Sequence, residues 1–152
     1  LEYVMGQKRF LNFYLITGLG ALALQMIVQA AEVYSLTGGI TIDVARYTST
    51  NPEALNKLSS IYYGPMLGAS GAIFGLLIAF GLLFPNAELF ILFIPAPVKA
   101  KYIIPIYIVL ELVLGVAQFS GDSIAHFAHI GGALFGFILI KLWGLKRPGG
   151  YL

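Results

Sequence analysis

Two short stretches carry the residues that could do chemistry. In "GPMLGASGAIFGLL" (64 to 77) a single serine, Ser70, is boxed by Gly68, Ala69 and Gly71 inside an otherwise apolar run. A serine in a membrane helix is cheap, because its hydroxyl bonds back to a carbonyl one turn earlier. The glycines are not cheap: they lower helix propensity and bare the backbone, so something must come close to this turn. In "SGDSIAHFAHIGGALFGF" (120 to 137) lie the chain's two histidines, His126 and His129. A hydroxyl beside an imidazole is the minimum apparatus for nucleophilic acyl transfer, the imidazole taking the proton as the oxygen attacks. The chain has no cysteine, which excludes a thiol nucleophile, a thiolate metal site and a disulfide framework. The two histidines share a helix face, but with no carboxylate nearby in sequence they make a poor metal site, so neither a metal nor a cofactor is expected.

The elements that must position these groups are membrane helices. Of 152 residues, 59% are hydrophobic and only 11% charged, against roughly 25% charged in soluble domains. The net charge of +2 and the scattered bases exclude a nucleic-acid surface. Four stretches approach the roughly 20 apolar residues needed to cross a hydrocarbon core: about 11–31, 65–84, 102–119 and 123–143. The fold class is therefore all-α, a polytopic transmembrane bundle of four spans in a lipid bilayer, with 1–152 as one unit. "FILFIP" (90 to 95) is too short to span and reads as interfacial or re-entrant. The external loop, 32–64, holds a surface helix with Asn51 as cap, Pro52 at its first position and Leu55, Leu58 and Ile61 as an apolar stripe; Tyr62 and Tyr63 suit headgroup level. The opening "LEYVMGQKRF", without an initiator Met or a basic-then-apolar leader, reads as part of a chain whose natural start lies upstream.

Basic residues orient the set. Lys8, Arg9, Lys99, Lys101, Lys141, Lys146 and Arg147 flank the spans on one side, and only Arg46 and Lys57 lie on the other. The positive-inside tendency places the larger group in the cytoplasm. The second and fourth spans then both run outside to inside, with Ser70 about 7 to 8 Å deep and His129 about 9 to 10 Å deep. Gly71 and Gly75 are four apart on one span, Gly132 and Gly136 four apart on the other, the spacing that lets membrane helices approach closely. A Ser70–His129 hydrogen bond is geometrically available, and first-turn amides near Ser70 offer an oxyanion site that glycine at 68 and 71 leaves open to a substrate backbone. The competing reading of Gly68, Ser70 and Gly71 is helix packing alone. Glu111, near the middle of the third span, either faces the bundle interior, is protonated or marks a polar path, since an ionised carboxylate facing lipid costs a few kcal/mol. Structural pairing is the reading adopted for it.

"GASGAIFG" (68 to 75), followed by "AHIGGALFG" (128 to 136), resembles the rhomboid family of intramembrane serine proteases, with its Gly-x-Ser-Gly and Ala-His-x-Gly-Gly type motifs. The opening stretch resembles the family through Glu2, Gly6, Arg9, Phe10, Tyr14 and Gly18. The resemblance implies an endopeptidase that cleaves transmembrane protein substrates with Ser70 as nucleophile and His129 as base, a dyad without an aspartate. It also implies Gly68, Ser70 and Gly71 in the oxyanion region, and Phe74 as an aromatic ring against the histidine, with Gly132 supporting the helix contact. His126 falls off the catalytic position and reads as a polar residue near the outer mouth. The family's oxyanion-binding His and Asn lie on a helix that would precede Leu1, so two of six core helices would be missing here. The helix bearing Glu111 corresponds to the one implicated in lateral substrate access. The implied location is a bacterial inner membrane. The alternatives are a rhomboid-like pseudoprotease or binding scaffold, against which the intact Ser70 and His129 stand, and a small transporter or channel subunit, for which only Glu111 lies mid-membrane.

The orientation is open to a direct check, because cysteines can be placed freely in this chain. With a membrane-impermeant thiol reagent on intact cells, Ser49→Cys should be labelled and Lys99→Cys should not. The opposite pattern would put Ser70 near the cytoplasmic face.

Overall fold

The computed structural model describes residues 1–40, 52–63, 69–90, 96–117 and 126–148. In chain order these form α1 (Glu2–Met5), α2 (Gln7–Thr37), α3 (Pro52–Tyr63), α4 (Ala69–Leu83), β1 (Glu88–Leu89), β2 (Val98–Lys99), α5 (Ala100–Ala117) and α6 (His126–Leu142). Helices α2 and α5 are long and apolar enough to cross a membrane, with 31 and 18 residues; α4 and α6 are shorter apolar helices. Gly68, Asn51 and most of "FILFIP" lie outside the described residues, as do positions 65–67 and 123–125 of the expected spans.

Two departures from the sequence reading have plain causes. Helix α2 continues past the expected end at 31 to Thr37 and stops where Gly38 takes the left-handed conformation, φ 76°, its amide closing on the Tyr34 carbonyl. Glu32 lies within the helix, its carboxylate 3.5 Å from the Lys57 ammonium of α3. The external loop is correspondingly shorter than 32–64. Beyond α4, β1 and β2 pair antiparallel, with Glu88 opposite Lys99 and Leu89 opposite Val98. Two residues per strand are too few to show alternation in a sequence. Helix α3 does start at Pro52, and it lays Leu58, fully buried, against the body of the protein, with Leu55 and Ile61 half-buried and Tyr63 exposed.

Helix α6 is the hub, packed on α2, α4 and α5. Its small residues set the distances. A Cβ added to Gly132 would collide with the Gly71 carbonyl of α4, and one on Gly136 would lie 2.7 Å from the Gly75 oxygen, one turn further along. On its α2 side, a Cβ on Gly131 would lie 2.9 Å from Leu24 Cβ. Thr17 of α2 fits over Gly75, and its hydroxyl is spent on the Phe13 carbonyl at 2.8 Å, so no polar group is left bare in this contact.

At the opposite end of these helices Met5, Phe13, Ala79, Leu83, Leu139 and Ile140 form a buried cluster, with Trp143 edge-on to Phe13. All seven bases of the larger group flank this end: Lys8 and Arg9 begin α2, Lys99 ends β2, Lys101 stands in the first turn of α5, Lys141 lies in the last turn of α6, and Lys146 and Arg147 follow it. Arg147 Nε donates to the Leu82 carbonyl at 3.3 Å. The outward faces of α2 and α5 are apolar, with Leu15, Leu19 and Ile27 on one and Ile106, Val109 and Val116 on the other all exposed. That distribution suits hydrocarbon rather than water.

A single methyl at the α4–α6 contact should therefore be felt. In detergent, Gly132→Ala should lower the melting temperature by several degrees or more, as overpacked cores do. Gly18→Ala, whose Cβ would only touch Ala72 Cβ at 3.4 Å, should melt like the parent. Equal behaviour of the two variants would mean that the helices are not held this closely.

Candidate active site

Ser70 stands in the first described turn of α4 and is half-buried. Its neighbour Gly71 abuts α6 directly: a Cβ there would lie 3.1 Å from the carbonyl oxygen of Ala128, the residue before His129. One turn on from Ser70, the Phe74 ring lies flat on the His129 imidazole, centroids 4.2 Å apart and planes 6° from parallel. Positions four apart on a helix share a face, so Ser70 is on the side of α4 that carries the histidine. Tyr107 of α5 adds a second ring behind Phe74 at 5.2 Å. The imidazole is thereby restrained by packing on one face.

His129 is restrained at its edge as well. Its Nδ1 lies 2.9 Å from Glu111 Oε2, and His126 Nδ1 lies 2.6 Å from the same oxygen. All three side chains are buried, Glu111 at 5% exposure. Glu111 thus faces the bundle interior and pairs there. Among the described residues no hydrogen bond joins Ser70 to His129. In proteins without substrate such catalytic bonds are often long and tighten only in the complex.

The structure therefore brings Ser70, Gly71, Phe74, His129 and Gly132 to one end of the α4–α6 contact, while Gly68 lies outside the described residues. Two sequence readings need correction. His126 is no mere polar residue at an outer mouth: it is buried and bound to Glu111. The carboxylate that the histidine pair lacks in sequence is supplied from 15 and 18 residues upstream, by a different helix.

The sequence profile of the rhomboid domain matches residues 1–145. The chain belongs to the rhomboid family. A relative in Schizosaccharomyces pombe, described as an uncharacterized mitochondrial rhomboid protein, is 32% identical over 111 residues, which is 65% of this chain and 28% of the relative. The chain thus matches less than a third of that relative's length. No solved structure matches it. Apolar helices and rhomboid membership together make this a membrane protein with a rhomboid-type helical bundle. The relative's mitochondrial description gives no support to a bacterial inner membrane for this rhomboid.

Proposed function

We propose that this rhomboid is a serine endopeptidase acting within the membrane, with Ser70 as nucleophile and His129 as general base. The observation that carries the reading is the Phe74–His129 stack one helical turn from Ser70. It fixes the imidazole on the face of α4 that also carries Ser70, which supports His129 as the base that takes the serine proton.

The chemistry balances with these groups. Ser70 Oγ attacks a peptide carbonyl carbon as its proton passes to His129 Nε2. The oxyanion is met by backbone amides near Gly68, Ser70 and Gly71. The intermediate collapses, the C–N bond breaks, and His129 returns the proton to the leaving amine; water then hydrolyses the ester by the same route. Substrates are transmembrane proteins whose helices unwind readily, because an amide inside a helix is hydrogen-bonded and shielded from attack.

The test is cleavage of a model single-span substrate by the full-length protein in proteoliposomes. Ser70→Ala and His129→Ala should each lower the rate by about 1000-fold or more, whereas His126→Ala should stay within about tenfold of the parent. Unchanged cleavage by Ser70→Ala would make the motif a packing device and rule out Ser70 as the nucleophile. Equal loss in both histidine variants would point to a paired-histidine site instead.

A further inference from the structure

The dyad implied by the sequence leaves Glu111 unused, yet this is a buried carboxylate on a helix that faces lipid along most of its length. An ionised carboxylate at mid-membrane costs about 3 kcal/mol unless it is partnered. Its partners are the two imidazoles. Helix α5 is brought to them by Gly115, one turn after Glu111, where a Cβ would lie 3.0 Å from His126 Cβ and 3.4 Å from the Phe127 ring. Tyr107, one turn before Glu111, reaches the Phe74 ring that covers His129. The carboxylate is thus placed by contacts above and below it.

We propose that Glu111 is a positioning residue for His129, so that the site is a membrane-embedded serine–histidine–glutamate triad whose carboxylate is shared with His126. The proposal rests on the protease reading and deepens it. With Glu111 ionised, each Nδ1–H donates to Oε2, and the lengths of 2.6 and 2.9 Å suit charge-assisted bonds. A proton fixed on Nδ1 of His129 leaves Nε2 with the lone pair, which is the nitrogen a serine proton must reach. When that proton arrives, the imidazolium forms beside a carboxylate in a medium of low dielectric, where the attraction is strong. His126, donating to the same oxygen, keeps the carboxylate satisfied and oriented through the cycle.

A metal held by the three residues is the main competitor, since their ligand atoms lie within 4.8 Å of one another. Ligands at about 2.0 to 2.1 Å from a tetrahedral ion stand about 3.3 Å apart. The shared oxygen is closer than that to both nitrogens, at hydrogen-bond distance.

The experiment compares the full-length parent with Glu111→Gln, which keeps the shape and removes the charge. The expected result is a fall in kcat of at least about tenfold with KM within about threefold and a melting temperature near the parent's. A purely structural carboxylate would instead lower stability and leave kcat of the folded fraction intact. Independently of any variant at 111, nitrogen-15 NMR of the resting parent, with His129 assigned by its loss in His129→Ala, should show the Nδ1–H tautomer. Full kcat in Glu111→Gln, or an Nε2–H tautomer at His129, would overturn the proposal while leaving the protease reading intact if Ser70→Ala is still inactive. Activity lost on adding EDTA and restored by zinc would overturn it in favour of a metal site. Normal cleavage by Ser70→Ala would sink both readings together.

Discussion

The contact on which this protein depends is the meeting of two backbones at Gly71 and Gly132. No side chain separates α4 from α6 there, and the approach repeats one turn on at Gly75 and Gly136. Lipid tails are as apolar as leucine, so helices in a membrane gain little from burying leucine against leucine; close packing and satisfied polar groups must hold them. In the proposed mechanism the same closeness sets the chemistry. Ser70 precedes Gly71 and His129 precedes Gly132 by three, so a gap opened at the glycines would separate the hydroxyl from the imidazole as well.

Helix α6 serves three neighbours with different faces. Gly131 receives α2, Gly132 and Gly136 receive α4, and His126 receives α5 at Gly115. Both histidines lie at the end of α6 remote from the basic cluster around Lys141. Among the described residues the basic side chains gather mainly at one end, and the one buried carboxylate, Glu111, is spent inside, on His126 and His129. That division is what a protein must adopt when its exterior is hydrocarbon.

Much of this was legible in the sequence because it depended on local spacing. Glycines four apart announced the close helix pair, while the ring of Phe74 against the histidine was implied by the resemblance to the rhomboid family. Pro52 marked the start of α3. The pairing of Glu111 was not legible, for a physical reason: α5 is apolar all round, so no amphipathic stripe fixes its rotation, and 18 residues separate Glu111 from His129. The only local hint was Gly115, one turn away, which marks the face of α5 that touches α6. The end of α2 at Thr37 lies beyond the apolar run because the helix continues through polar residues, Glu32 among them, to the left-handed Gly38. The β1–β2 pair is held by its neighbours, with the Ala100 amide bonded to the Ala87 carbonyl at 2.9 Å, and leaves no trace in the residue pattern.

The central claim is that the glycine contact makes Ser70 a reactive nucleophile by holding it against His129. Fluorophosphonate labelling of the full-length protein, mapped by peptide, tests this most directly, because an activated serine reacts and a serine bonded only to its own helix does not. Of the seven serines in this chain, Ser70 alone should be modified, and both His129→Ala and Gly132→Val should abolish the reaction. Labelling of Ser70 that persists in His129→Ala, or modification of a different serine in the parent, would contradict the account.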